Sequence, residues 1–104
     1  MQMATIATSY TPFIATFFTK PTEETKLLDF IQTKLPIYVA QRSPKIKPVA
    51  GSQHLYELKV HIGADFYRLA YRYESNQIQA LYLTKTLRKV HFDREVLRFL
   101  RSSS

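Results

Sequence analysis

The sequence predicts an α+β fold in the order strand, two helices, three strands, helix. Three observations carry that order. Apolar residues recur at helical spacing between residues 13 and 35, and three segments between 54 and 84 alternate at period two with short turns between them. Residues 92–101 then return to helical spacing.

Met3 to Ser9 alternates weakly and predicts an edge strand. Ser9 or Thr11 is placed to cap a short helix with Pro12 in its first turn. Phe13, Ile14, Phe17 and Phe18 share one face of it and are expected in the core. Lys20-Pro21 breaks this helix. Thr22 is the predicted N-cap of the next, with Glu23 and Glu24 in the first turn, where carboxylates suit the helix dipole. Leu27, Leu28, Ile31 and Leu35 form its buried stripe, and Pro36 is expected to stop it. Arg42 to Gly51, with Pro44, Pro48 and the cations Arg42, Lys45 and Lys47, reads first as a solvated, mobile loop, with contact to RNA or ribosome as the lesser alternative.

Strands follow at about 54–61, 66–74 and 77–84. The turns Gly63-Ala64-Asp65 and Ser75-Asn76 are short enough to make them a three-stranded antiparallel meander. Residues 92–101 form the C-terminal helix. Its apolar side is Phe92, Val96, Phe99 and Leu100, and Arg94, Arg98 and Arg101 make a cationic stripe. Ser102 to Ser104 is expected to fray. With no repeat and no long linker, residues 1–104 read as one domain with one modest core.

The chain has no cysteine, which excludes disulfides and thiolate metal sites and fits a reducing cytoplasm. No apolar run approaches a membrane span, and no signal-peptide pattern is visible. The net charge of +7 is uneven. Lys20, Lys26 and Lys34 balance Glu23, Glu24 and Asp29 in the first 41 residues, so the whole excess lies after Gln41. Such asymmetry suits a polyanionic partner, nucleic acid or an acidic protein, and equally a basic solvated surface.

RNA is cut without a metal when a base takes the ribose 2′-OH proton, an acid protonates the leaving 5′ oxygen and fixed cations hold the charge on phosphorus. The sequence has no HExxH, no His/Asp pair at ligand spacing and no Gly-rich phosphate loop, so neither a metal nor a nucleotide cofactor is expected. Strand alternation puts Phe66, Arg68, Ala70 and Arg72 on one face and Tyr67, Leu69, Tyr71 and Tyr73 on the other. The second face reads as core. The first, with a small alanine between two arginines, is expected to leave space for a ligand. Arg68 is the leading phosphate-binding candidate, because a guanidinium on rigid sheet donates several hydrogen bonds at once. The alternative is a surface arginine paired with Glu57 or another carboxylate.

Leu55-Tyr56-Glu57-Leu58-Lys59, then Gly63, then Tyr67-Arg68-Leu69-Ala70-Tyr71 resembles the core motif of RelE/ParE/HigB-type toxins of bacterial and phage toxin–antitoxin modules. The resemblance is sharpest over residues 51–73 and implies the same α+β order. It implies that Arg68 contacts the scissile phosphate, and that Lys59 occupies a position where a lysine or arginine serves catalysis. Glu57 stands where HigB-like members, of the phage-derived branch, carry glutamate and some RelE members lysine. Lys85 matches the first cation of a Lys-(Lys/Arg) pair; Thr86 departs from the second, for which Arg88 or Lys89 substitutes by a shift of register. The RelE-type tyrosine position falls near Phe92, which cannot move a proton, whereas the adjacent His91 can. The expected set is therefore Arg68, Lys59, Lys85 and His91 for catalysis and Arg72, Arg88, Lys89 and Arg94 for RNA. His54 and His61 are given only structural roles.

The resemblance implies a cytoplasmic, ribosome-dependent mRNA endonuclease that inhibits translation and is held silent by a cognate antitoxin. Its partners would be antitoxin, ribosome and mRNA, with no membrane. Two other functions fit the same scaffold: a ParE-like inhibitor of DNA gyrase, and a non-catalytic, phage-derived interaction protein.

Overall fold

A computed structural model describes residues 5–102. Met3 and Ala4 of the predicted first strand, and Ser103 and Ser104 of the predicted tail, lie outside them. The fold is α+β: β1 (Ala7–Tyr10), α1 (Pro12–Ala15), α2 (Pro21–Asp29), a π-helical turn (Phe30–Lys34), α3 (Leu35–Ala40), β2 (Lys47–Pro48), β3 (Leu55–Ile62), β4 (Asp65–Glu74), β5 (Gln77–Thr84) and α4 (Lys89–Ser102). One five-stranded sheet runs β1-β5-β4-β3-β2, with β1 parallel to β5 and the other pairs antiparallel.

The three-stranded meander forms as its alternation predicts. Gly63, at φ +64°, opens the tight β3–β4 turn, and Ser75 and Asn76, at +53° and +58°, form the β4–β5 turn in the left-handed conformation that fits a two-residue hairpin. Tyr67, Leu69 and Tyr71 are buried together with Leu58, Val60 and Ile62, and Ile14, Leu27, Ile31 and Leu35 of the helices cover them. This is the main core, and the tyrosine–leucine face of β4 lies in it.

The helical region departs from expectation in three places. Helix α1 ends at Ala15, before Lys20-Pro21, so Phe17 and Phe18 lie outside it, although both still pack against the core. Helix α2 begins one residue before the predicted cap: Lys20 is the N-cap and Pro21 takes the first turn, where its missing N–H costs nothing. Pro36 does not stop the helix, which continues to Ala40. The chain widens instead: the Leu35 N–H donates five residues back to the Phe30 carbonyl. Such a turn relieves the clash between the proline ring and the preceding carbonyls.

The Arg42–Gly51 segment is also more ordered than predicted. Lys47 and Pro48 pair with Glu57 and Tyr56, Val49 is buried, and its N–H donates to Leu55 O at 3.0 Å. A proline is tolerated because β2 is an edge strand. β2 begins only at Lys47, opposite Glu57, so among the described residues β3 from Leu58 onward is an open edge.

The last helix starts at Lys89, three residues before the predicted 92–101, and still includes Ser102. It packs on the sheet face opposite α1–α3. Phe92 and Val96 form a second core with Val49, Leu55, Ala70 and Leu81. A bulge supplies Leu81: Ala70 pairs with Tyr82 but Tyr71 with Ala80, so Leu81 is the extra residue on β5 and turns toward α4. Phe99 and Tyr82, with ring centroids 4.6 Å apart, meet Phe13 of α1 around the β5 side of the sheet. Helix α4 therefore covers the Leu55–Ala70–Leu81 end of this face and leaves Lys59 and Phe66, farther along it, exposed.

Candidate functional site

Glu57 and Ala70 are opposite each other on β3 and β4, under α4. The expectation that Ala70 leaves space for a ligand is corrected here: Ala70 is fully buried, and the room its methyl leaves lies in the second core. Glu57 is 0% exposed. Its Oε1 accepts from Arg68 Nη1 at 2.7 Å, and Lys89 Nζ stands 3.1 Å from Oε2, in ion-pair contact but not aligned for a hydrogen bond. Lys89 also donates to Asp93 Oδ1 at 2.7 Å and to Pro48 O at 2.6 Å, while Asp93 Oδ2 accepts from the Ala50 N–H at 3.2 Å. Two cations and two carboxylates thus balance, as buried charges must.

This network changes the reading of two candidates. The Arg68 side chain is only 15% exposed. Its Nε–H donates to Leu87 O at 2.6 Å and its guanidinium lies 5.8 Å over the Phe92 ring. Arg68 is therefore paired with Glu57, the alternative left open by the sequence, and it fastens α4 to the sheet. Nη2 is left without a protein partner among the described residues. Lys89, expected on the RNA surface, spends its ammonium inside the network.

The other candidates fall into two basic hollows. The first is a cleft of about 690 Å³ at the start of α4, where Lys85, Arg88, His91, Arg94 and Arg98 gather. Its one carboxylate, Glu95, accepts from the Tyr82 hydroxyl at 2.5 Å. Burial pushes Glu95 up, but hydrogen bonds from Tyr82, Thr86 and Thr84 and the nearby Arg98 outweigh it and hold the carboxyl below its ordinary range. Lys85 is exposed, with its ammonium 3.4 Å from Asp65 and 5.9 Å from the Tyr67 ring centroid. Phe92, at the family's tyrosine position, is wholly buried, and His91 beside it is exposed.

The second hollow is a groove of about 620 Å³ where the open edge of β3 meets the helices. Lys34, Lys45, Lys47, Lys59 and Arg68 line it, with His61 and three aromatic rings, and no carboxylate does. Lys59 is mid-strand, directly opposite Arg68. Arg68 joins the two hollows, since it lines the groove and hydrogen-bonds Leu87 of the cleft. Arg72, half-buried between Leu55 and Gln79, lies in neither.

Sequence reasoning missed Lys34, His61 and Phe66 and read Lys45 and Lys47 as loop cations, with contact to RNA or ribosome only as the lesser alternative. A signal for part of this was present: alternation puts His61 on the face of Lys59, and the short turn sets it opposite Phe66. Nothing in the sequence showed that the π-helical turn would bring Lys34 to the same edge.

Compared with protein-family models, curated proteins and solved structures, the chain matches none. Among the described residues, no cluster of three His, Asp or Glu is arranged to hold a metal ion, and no helix is long and apolar enough to cross a membrane.

Proposed function

We propose that this protein is a RelE/ParE-like toxin of the HigB-like branch, a cytoplasmic endonuclease that cuts mRNA on the ribosome and is neutralised by a cognate antitoxin. The observation that carries the reading is the cleft at the start of α4, where an exposed histidine stands among Lys85, Arg88, Arg94 and Arg98. In the proposed reaction the 2′ oxygen attacks the neighbouring phosphate and the 5′ oxygen leaves. His91 serves one of the two proton transfers, Lys85 and Arg88 hold the developing charge, and Arg68 offers Nη2 from the boundary of the groove. Lys59 and Arg94 extend the basic surface along the RNA backbone. The Glu57 ion pair makes Arg68 a fixed rather than a mobile cation. An antitoxin would cover the two hollows with acidic and apolar side chains.

Purified protein added to a cell-free translation system tests this. Synthesis should stop, and the message should be cut while ribosome-bound. Unimpaired synthesis with intact message would reject the reading.

The pairing of Arg68 with Glu57 and the burial of Phe92 favour a second reading, a ParE-like gyrase inhibitor without RNA chemistry. A supercoiling assay separates the two: the endonuclease leaves gyrase unaffected.

A further inference from the structure

We infer that the groove at the open edge of β3 is a base-stacking subsite for single-stranded nucleic acid, with the ring of Phe66 as its platform. This rests on the nucleic-acid part of the reading above and adds a subsite distinct from the His91 cleft. Phe66 is a large apolar side chain left 52% exposed at the first turn of β4. Its position is fixed from below: the His61 ring, directly across the strand pair, stacks on it at 4.5 Å with the planes 22° apart. Two stacked rings on adjacent strands make a rigid platform, and a base can continue the stack on the outer face of Phe66.

The surrounding charge fits the backbone of that strand. Lys59 stands beside His61 on β3, Lys34 comes from the helix, and Lys45 and Lys47 come from the segment leading into and forming β2. Among the described residues, none of Lys34, Lys47 and Lys59 has an ion-pair partner, and Lys45 is engaged only through its backbone N–H and over the Tyr38 ring, 5.5 Å from its centroid. Lysines at an open edge also deter edge-to-edge pairing. That role requires neither an exposed ring pair nor cations converging from the helix and from β2. Basic grooves with aromatic platforms suit single strands, because a duplex keeps its bases stacked on one another. An acidic peptide would satisfy the lysines but leave the ring pair without a planar partner.

The test is fluorescence anisotropy of the full chain with a labelled single-stranded oligoadenylate of about ten nucleotides, a size within the range one such site spans. A duplex of the same length and a labelled polyglutamate are the comparison probes. The single strand should bind tightest. Phe66→Leu should weaken it about 5- to 100-fold without changing thermal stability, and Phe66→Trp should restore it. Lys59→Ala should weaken it and lower the slope of log affinity against log salt by about 0.7. Equal binding of duplex or polyglutamate, or unchanged affinity in Phe66→Leu, would overturn the subsite. Failure of the toxin reading shows elsewhere: Phe66-dependent binding with intact message leaves the subsite standing and removes the endonuclease, and cut message with Phe66-independent binding does the reverse.

Discussion

Arg68 Nη1 and Glu57 Oε1 meet at 2.7 Å on a diagonal between adjacent strands, the carboxylate wholly buried and the guanidinium nearly so. Ala70 stands directly opposite Glu57, and Arg68 lies two residues before it on β4, on the same face of the strand. Two strands and the start of α4 therefore share one charged joint, since Lys89 closes on the same carboxylate.

Glu57→Ala should cost roughly 3–5 kcal/mol of stability in urea denaturation, because it leaves Arg68 and Lys89 without their shared anion beneath α4. Glu57→Gln should cost less, as its amide oxygen still accepts from Arg68. A loss below about 1 kcal/mol for Glu57→Ala would mean that the pair behaves as a surface one. For the same reason an inactive Arg68→Ala variant must be shown to be folded before its loss is assigned to chemistry.

Phe92→Tyr should not create a proton donor for catalysis. The ring is fully buried in the second core, with the Arg68 guanidinium over it, so the added hydroxyl must be taken up inside packed protein. A loss of about 1–3 kcal/mol with no gain in message cleavage is expected. Increased cleavage would mean that position 92 reaches the substrate.

The strands and their faces were legible because period-two alternation and turn residues are local signals, as in Phe66 to Tyr73 and at Gly63. The continuation of the helix past Pro36 was not, because it depends on a hydrogen-bond shift at Leu35 that packing against the sheet rewards. The burial of Ala70 was missed because alternation assigns a residue to a face but not what covers that face; α4 does. Of the site, Lys59, Lys85, Arg88, His91 and Arg94 were named from sequence and stand in two basic hollows. The groove itself was not foreseen, since Lys34, Lys47 and Phe66 come together only in three dimensions.

Acid should destabilise the fold partly through Glu95. Its carboxyl titrates below its ordinary value of 4.5 in the folded chain, so the unfolded chain binds more protons as pH falls through that value. The stabilisation is present above pH 4.5 and is lost as pH drops through the lower folded value. Tyr82→Phe removes a hydrogen bond that holds the carboxylate. Denaturation midpoints measured from neutral pH down through the carboxylate range should therefore fall less steeply in Tyr82→Phe than in the parent. Parallel curves would contradict the assignment.

Gly63→Ala should lower stability by about 1–2 kcal/mol, the cost of holding an L side chain in the left-handed region. The new methyl would stand 3.2 Å from Glu23 Oε2, the end of a flexible side chain that can move aside, so the backbone sets the penalty. Thermal denaturation checks this, and an unchanged midpoint would show that the turn relaxes.

Mapping mRNA ends in a translating extract, with the parent protein and with His91→Ala beside it, bears most directly on the proposed function. The histidine is exposed, so its removal should leave the fold intact. New ends with the parent, reduced by about 100-fold or more in His91→Ala, are the expected result. No new ends with the folded parent, or equal cutting by both proteins, would contradict the account.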